Sequence, residues 1–242
     1  MSKYYYTKSG TRTTRTYLRY FGLFLSIIGI SILLYFALPI GTSYFMLQNV
    51  YASQSIMTPI PVVKVLTRER IKHILSNTIN PDQTDYSDAK TWFPSFEVSP
   101  AAPRVKGYTL SIPKINIDQA YVTTEDYNVA KHLVNYGGTA VPPDKGNAVI
   151  FGHSTLPQLF NPKDYKTIFA KLHTLEKGDT FSVNVDGVDY TYKIFAIDIV
   201  SPEDFTPLMQ RYDASYLTVI TCTPPGTIWE RLVVSSRLVE KE

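Results

Sequence analysis

Two side chains in the second half of the chain could together carry out acyl transfer through a covalent intermediate. Cys222 ends a β-type run at residues 216–222 and is followed at once by the turn-forming residues 223–226. A free thiol with a pKa of ~8.5 is only slightly ionised at neutral pH, so a useful cysteine nucleophile needs a basic or cationic partner. His153 follows another apolar run, residues 147–151, and also stands at a strand end. Taken singly, a lone cysteine or histidine is more often a packing residue; the pairing of the two favours catalysis.

Arg231 is the third candidate, because it can face Cys222 across a hairpin. If residues 216–222 and 229–239 pair so that Arg231 lies opposite Cys222, both side chains project from one face, with Cβ atoms about 4.5–5.5 Å apart. A guanidinium there could hold the thiolate and then the oxyanion of a tetrahedral intermediate. An exposed strand arginine that keeps a sheet edge soluble is the alternative, which the spacing alone slightly favours.

The elements that must position these residues are short β-type runs, which begin near Tyr108. Asp186-Gly187 between two such runs predicts a tight hairpin, and residues 126–134 predict a short helix. Seven or eight short strands in about 130 residues predict an all-β sandwich or closed barrel with small helices in the connections.

Composition and charge exclude several classes of protein. Of the 242 residues, 44% are hydrophobic and 19% charged, which does not fit a disordered chain. Five of the 24 basic residues stand in the first nineteen positions, where there is no acidic residue. The rest of the chain therefore has 19 basic residues against all 21 acidic ones and is slightly acidic overall. A nucleic-acid binder would keep its positive excess on the folded part. The single cysteine excludes an intramolecular disulfide framework and a multi-cysteine zinc site.

The chain has one candidate membrane segment, residues 20–40. These 21 residues contain no charge and would span roughly 31 Å as a helix, close to the ~30 Å hydrocarbon core. A cleaved signal peptide has a shorter apolar region and ends at small residues, so an uncleaved anchor is favoured. The flanking cations place the N-terminus in the cytoplasm. The predicted organisation is a cytoplasmic basic tail (1–19), a transmembrane signal anchor (20–40), an extracellular stalk rich in proline (41–105) and a catalytic domain (106–242).

The residues around the candidate site resemble the sortase family. Thr218-Val219-Ile220-Thr221-Cys222 is similar to the sortase signature Thr-Leu-x-Thr-Cys, with valine in place of leucine. Residues 147–153 resemble the strand that bears the family histidine, and residues 139–142 and 175–179 also fit. The likeness runs from about 108 to 239 in the right order.

This resemblance implies an eight-stranded closed β-barrel and a membrane-anchored cysteine transpeptidase of a Gram-positive-type cell envelope. Such enzymes cut a Leu-Pro-x-Thr-Gly (LPxTG)-like sorting signal of secreted proteins between Thr and Gly. By motif, Cys222 would form the thioester, His153 would act as acid and base, and Arg231 would stabilise the oxyanion. The acceptor would be an amine of a cell-wall precursor peptide or a pilin lysine. The chemistry requires no cofactor; some members bind calcium, and no calcium site can be placed in this sequence.

Subclass and two alternative functions stay open at this stage. Pilin-polymerising sortases often carry a C-terminal membrane segment and an Asp-Pro-aromatic lid; residues 88–92 match such a lid poorly, which favours a wall-anchoring enzyme. The alternatives are a cysteine peptidase that uses water as acceptor, and a non-catalytic membrane-tethered β-domain. An inert, buried Cys222 would indicate the latter.

Overall fold

The computed structural model describes residues 12–51, 85–93 and 104–239. Contacts divide the chain into two compact units, residues 1–42 and 43–242, which are described separately. Most of the predicted stalk, residues 52–84 and 94–103, lies outside the described residues.

The described part of the N-terminal unit is helical and belongs to α1, which spans Arg12–Tyr51. Its segment Tyr17–Tyr35 has a mean hydropathy of 1.8, and its described side chains are exposed. By length and composition this segment could cross a membrane, a test that a signal sequence near the N-terminus also passes. The helix begins before the predicted span of 20–40 and continues beyond it.

The second unit contains a closed barrel of eight strands, which confirms the fold that the resemblance to the sortases implies. The strands are β1 (Gly107–Ile112), β2 (Ile117–Thr123), β3 (Leu133–Asn135), β4 (Gly146–Phe151), β5 (Thr180–Val185), β6 (Val188–Val200), β7 (Ser215–Thr223) and β8 (Glu230–Leu238). Their order around the barrel is β1-β2-β3-β4-β7-β8-β6-β5, and β5 pairs with β1 to close it. The pairs β2–β3 and β4–β7 are parallel, and the others are antiparallel.

Strands β4 and β7 form the part of the barrel wall that carries the candidate residues. Every residue of both strands is buried, as expected for strands that are covered on both faces. Side chains alternate between the faces: Ile150 and Val219 belong to the core inside the barrel, whereas Phe151, Ile220 and Cys222 belong to a second apolar cluster outside it. The candidate nucleophile therefore lies on the outer face of the barrel.

The local predictions have different outcomes. Asp186 and Gly187 form the β5–β6 hairpin turn with φ of 51° and 83°; positive φ at both positions is what a type I′ turn requires. The predicted helix at residues 126–134 is wrong. The chain makes turns there and enters β3 at Leu133, because pairing with β2 and β4 outweighs the local apolar spacing.

Candidate active site

Cys222 lies near the end of β7, directly opposite Arg231 of β8. The two residues are register partners in the antiparallel β7–β8 pair, as the hairpin argument predicts. Cys222 is 5% exposed, so the thiol is more deeply buried than a strand end alone would suggest. Burial raises the pKa of the thiol, and the charge of Arg231 lowers it by a smaller amount. The buried thiol is therefore predominantly protonated at neutral pH.

His153 reaches the same end of the barrel through the parallel β4–β7 pair. Phe151 is the register partner of Ile220, and the Gly152 amide donates to the Ile220 carbonyl at 3.3 Å, so the chain beyond β4 carries His153 towards the level of Cys222. The pKa of His153 is lowered, mainly because the ring is largely buried; Asp85 opposes this shift and the charge of Lys166 adds to it. The imidazole is therefore predominantly neutral at pH 7.

The position of His153 is fixed by contacts of its neighbours. Thr221 Oγ1 donates a buried 2.7 Å hydrogen bond to the Gly152 carbonyl, which joins the residue before Cys222 to the residue before His153. The amide of Phe169 donates to the His153 carbonyl at 3.0 Å. A Cβ on Gly152 would lie 2.5 Å from the Phe169 ring and 2.6 Å from Leu133, so only glycine fits there. Thr221 and Phe169 are not among the residues for which the sequence alone predicts a role in the site.

Arg231 is a buried cation with neutral hydrogen-bond partners. It is 2% exposed, so the alternative of an exposed edge arginine is wrong. Its Nη1 donates to the carbonyls of Ile228 and Glu230 at 3.0 and 3.2 Å, and its Nη2 donates to the Trp92 carbonyl at 3.2 Å. Within the described part of the chain no carboxylate pairs with this guanidinium, and its Nε has no partner. A buried positive charge whose hydrogen-bond partners are all neutral carbonyls is suited to stabilising an anion that forms beside it.

A segment from the N-terminal side covers this end of the barrel. We call residues 85–93 the cover segment. Its Trp92 is fully buried, with its ring centroid 5.3 Å from that of Phe151, 5.9 Å from that of His153 and 5.5 Å from the Arg231 guanidinium. Phe93 packs in the same apolar cluster as Cys222. Residues 88–92, which match a lid motif poorly, thus nevertheless contact two of the three candidate residues.

The cover segment is held in place by the turn that precedes β3. The Ala89 amide donates to the Tyr127 carbonyl at 2.8 Å, and the Val129 amide donates to the Ser87 carbonyl at 2.9 Å. The Lys90 ammonium lies 4.3 Å from the centroid of the Tyr127 ring. The thiol is therefore shielded by a segment that is held by these contacts, by the hydrogen bond from Arg231 to the Trp92 carbonyl and by its buried side chains, so exposure of the thiol requires the segment to open locally.

Replacing Trp92 with alanine is expected to raise the rate of Cys222 alkylation at least tenfold. Removing a buried tryptophan side chain costs roughly 3–5 kcal/mol, and each ~1.4 kcal/mol lost from the docking of the segment is a factor of ten in its open population. The measurement is the rate of iodoacetamide labelling at fixed pH, read by mass spectrometry. The matched control is Tyr212→Ala, an exposed aromatic residue near the far end of β7. Equal rates in wild type and Trp92→Ala would show that the segment does not protect the thiol.

No metal centre accompanies these residues in the described part of the chain. Among residues 12–51, 85–93 and 104–239, no three His, Cys, Asp or Glu side chains are grouped so that they could hold a metal ion.

The closed barrel agrees with the comparison to known families. Residues 110–239 match the sortase domain family, which is more than half of the chain, so the chain belongs to the sortase family. Members of this family are cysteine transpeptidases.

Individual relatives are distant. Sortase D of Bacillus subtilis (strain 168) is 28% identical over 116 residues, which are 48% of this chain and 53% of that protein; the match thus spans about half the length of this curated relative. The pilus-related sortase C of Group B Streptococcus superposes with a TM-score of 0.51 at 22% identity, covering 73% of this chain and 93% of that one. Sortase C-1 from Streptococcus pneumoniae gives 0.51 at 21% identity, with 74% and 94% covered. At these identities the structural likeness concerns the fold.

Proposed function

We propose that this protein is a cysteine transpeptidase that cleaves an LPxTG-like sorting signal of secreted proteins and transfers the acyl group to an amine. The observation that supports this most strongly is the convergence of three side chains at one end of the barrel. Cys222 and Arg231 are paired across β7–β8, and His153 reaches them through β4. The proposed partners are C-terminal sorting signals and, as acceptor, an amine of a cell-wall precursor peptide or a pilin lysine.

In the first half of the reaction, Cys222 Sγ attacks the threonine carbonyl of the sorting signal. The tetrahedral oxyanion is stabilised by the Arg231 guanidinium. The C–N bond breaks, His153 gives a proton to the departing amine, and a thioester to Cys222 remains.

In the second half, the acceptor amine attacks the thioester carbonyl. His153 takes the proton from the incoming nitrogen, the C–S bond breaks and the thiolate leaves. Bonds and protons balance over the cycle, and no oxidant or reductant is needed. We also propose that no metal or organic cofactor takes part, since side chains supply the nucleophile, the acid–base group and the oxyanion partner.

The sulfur and the imidazole must exchange a proton before attack. In the covered state burial raises the pKa of Cys222 and lowers that of His153, so both shifts favour the neutral pair. Displacement of the cover segment by the sorting signal would readmit polar groups to the site, and would reduce the desolvation that causes both shifts.

The proposal is tested by incubating the full-length protein, in non-ionic detergent, with a library of peptides that contain candidate sorting motifs plus an added amine. Mass spectrometry should detect peptide cut after threonine and joined to the amine, and a thioester adduct on Cys222. Cleavage with only hydrolysed product at high amine concentration would indicate a cysteine peptidase instead. Failure of every motif, together with a Cys222 that resists alkylation even in Trp92→Ala, would indicate a non-catalytic domain.

Replacing Arg231 with alanine is expected to lower turnover by about 10²–10³-fold. Loss of one oxyanion donor costs about 2.7–4 kcal/mol of transition-state stabilisation. Arg231→Lys is expected to lose at least tenfold, because an ammonium cannot reproduce the planar fork of the guanidinium. Both variants should also melt at a lower temperature than wild type, since the arginine is buried and bonded to three carbonyls. Turnover is therefore measured well below the melting transition.

The control for Arg231 is Arg237→Ala, an exposed arginine six residues further along the same strand. Arg237 pairs with Tyr216, so it lies roughly 20 Å from Cys222 at about 3.3 Å per residue. Equal losses at the two positions would mean that the effect is general electrostatics, and near-wild-type turnover in Arg231→Ala would remove this residue from the reaction.

We propose that α1 anchors the protein in the membrane of a Gram-positive-type envelope, with the N-terminus inside and the barrel outside. The five cations within the first nineteen residues and the lack of charge from Tyr20 to Ile40 support this orientation. A reporter enzyme that is active only outside the membrane, fused after Glu242, should be active and remain with the membrane fraction. Release of a soluble product cut near Gly41 would show instead a cleaved signal sequence.

A further inference from the structure

The chain that joins β6 to β7 contributes to the apolar cluster around the candidate nucleophile. We call residues 201–214 the β6–β7 connection. Leu208 of this connection is fully buried in the cluster that contains Cys222, and Phe205 packs against the same cluster. Apart from the short turn Thr206–Leu208, the connection is irregular. Its position therefore depends on the residues outside it to which it is bonded.

Asn147 of β4 holds the connection from the side of the barrel. Its Nδ2 donates to the Pro207 carbonyl at 2.8 Å and to the Met209 carbonyl at 3.4 Å. Its Oδ1 accepts a buried 2.8 Å hydrogen bond from Thr218 Oγ1 of β7. The side-chain amide of Asn147 is thus fixed by the barrel wall at its oxygen, and its nitrogen binds the backbone on both sides of Leu208.

Gln210 completes the attachment from the side of the connection. Its Oε1 accepts from the Asn147 backbone amide at 3.0 Å, and its Nε2 donates to the Asn147 carbonyl at 2.9 Å. The same Nε2 donates to the Leu208 carbonyl at 3.2 Å. Both ends of the Gln210 amide are therefore in use, one as acceptor and the other as donor. We call Asn147 and Gln210 the amide pair.

The amide pair acts on the site at a distance. Asn147 is the register partner of Tyr216, which precedes Cys222 by six residues on β7 and so lies roughly 20 Å from it along the strand, at ~3.3 Å per residue. The pair does not reach the reacting groups over this distance. Its link to them is Leu208, whose carbonyl is bound by Gln210 and whose side chain belongs to the cluster of Cys222.

Leu208 gains importance when the cover segment leaves. In the proposed reaction the sorting signal displaces this segment, and Trp92 and Phe93 then leave the apolar cluster, whereas Leu208 stays with the barrel. Leu208 becomes an apolar wall that a peptide bound at Cys222 can contact. A wall on an irregular segment contributes to binding only in the fraction of molecules in which it is in place, and the apparent affinity falls with that fraction.

We propose that Asn147 and Gln210 are positioning residues that set the affinity for the sorting signal, because they fix the β6–β7 connection so that Leu208 borders the site. The inference rests on the proposed function, since it takes a peptide as the molecule that replaces the cover segment. It gives the amide pair a role in peptide binding through Leu208 and no role in the chemical steps.

Two isosteric variants test the amide pair, because each replaces an amide nitrogen with an oxygen. In Gln210→Glu a carboxylate oxygen would face the carbonyls of Asn147 and Leu208. In Asn147→Asp it would face the carbonyls of Pro207 and Met209. Opposed acceptors repel and stay unpaired. KM for a sorting peptide should rise by about tenfold or more in each variant, while kcat stays within about threefold of wild type.

These constants are measured with the full-length protein in non-ionic detergent, well below the melting temperature of each variant. The comparison is repeated in the Trp92→Ala background, where competition from the cover segment is weakened in all variants alike. Gln210 is half-buried, so Gln210→Glu keeps the test decisive if Asn147→Asp does not fold. An unchanged KM in Gln210→Glu overturns the inference.

Asn135→Ala is the matched control for loss of stability. Asn135 is also a buried amide of the barrel wall: it accepts from Tyr108 Oη at 2.6 Å, and its Nδ2 donates to the Ala140 carbonyl at 3.2 Å. It lies on β3 and has no bond to the β6–β7 connection among the described residues. Its loss should lower the melting temperature and leave KM within about threefold of wild type. An equal rise of KM in Asn135→Ala and Gln210→Glu would assign the effect to general stability and overturn the inference.

A binding measurement separates failure of this inference from failure of the proposed function. A fluorescent peptide with an LPxTG motif is titrated against full-length Cys222→Ala, with and without Gln210→Glu, and its anisotropy is followed. A Kd that rises by about tenfold or more with Gln210→Glu supports the amide pair even if wild type transfers the acyl group only to water. Transfer by wild type together with an unchanged Kd overturns the inference and leaves the proposed function in place. Absence of both binding and reaction overturns both.

Discussion

Cys222→Ala is expected to abolish cleavage and transfer altogether, because this is the only cysteine in the chain. No other thiol can form the thioester, and the remaining site groups provide no comparable nucleophile. The substitution replaces a side chain that is 5% exposed with one slightly smaller, so the melting temperature should change by only a few degrees. Products and any covalent adduct are measured by mass spectrometry after prolonged incubation at high enzyme concentration.

A matched measurement guards this result against trivial loss of structure. Cys222→Ala should still bind a sorting peptide that wild type cleaves, since the apolar cluster around residue 222 is otherwise intact. Product formation by this variant at more than a trace level would remove Cys222 from the mechanism. Loss of peptide binding together with a large fall in melting temperature would show that the thiol is needed for packing.

The pairing of Cys222 with Arg231 was predictable because it depends only on a hairpin register. Two β-type runs separated by a short turn must pair antiparallel, and opposed residues then share a face. The same local logic predicts the turn at Asp186-Gly187 correctly. Such features are encoded within about twenty residues of sequence, so they can be deduced without knowledge of the whole fold.

Closure of the barrel and the placement of His153 depend on longer-range contacts. The parallel pairing of β4 with β7 joins residues about seventy positions apart, and no local pattern specifies it. The sequence alone left a sandwich and a closed barrel open; the resemblance to the sortases favoured the barrel. The error at residues 126–134 has the same origin, since the short strand β3 exists only because β2 and β4 lie on either side of it.

The burial of Arg231 and the covering of Cys222 could not be predicted from the sequence. Both depend on Trp92, which lies 139 positions before Arg231 in the sequence. No local sequence pattern connects two residues so far apart. Its carbonyl accepts from the guanidinium and its ring packs on His153. A hint was present in the adjacent aromatic residues Trp92 and Phe93, because two large apolar side chains in a proline-rich stretch need a surface on which to pack.

His153→Ala is expected to lower turnover by about 10²–10⁴-fold, the usual contribution of a positioned acid–base group. The loss should be greatest for transfer to amines that must be deprotonated during attack. His153→Gln, which keeps a polar side chain of similar size, should lose nearly as much, because an amide cannot exchange a proton near neutral pH. Turnover is measured with the same sorting peptide and amine as for wild type.

The pH dependence distinguishes proton transfer from packing at this position. Burial lowers the pKa of His153, so the imidazole stays neutral to a lower pH than a free histidine does. The acidic limb of the kcat/KM profile, which reports the free enzyme, should therefore lie below the ordinary value of ~6.5. That limb should disappear in His153→Gln. His173→Ala is the matched control, since His173 is buried to a similar degree and its pKa is lowered for the same main reason, but it lies in the turn Leu172–Thr174 before β5. A loss of less than tenfold in His153→Ala, or an equal loss in His173→Ala, would return His153 to a packing role and leave Cys222 without an identified proton partner.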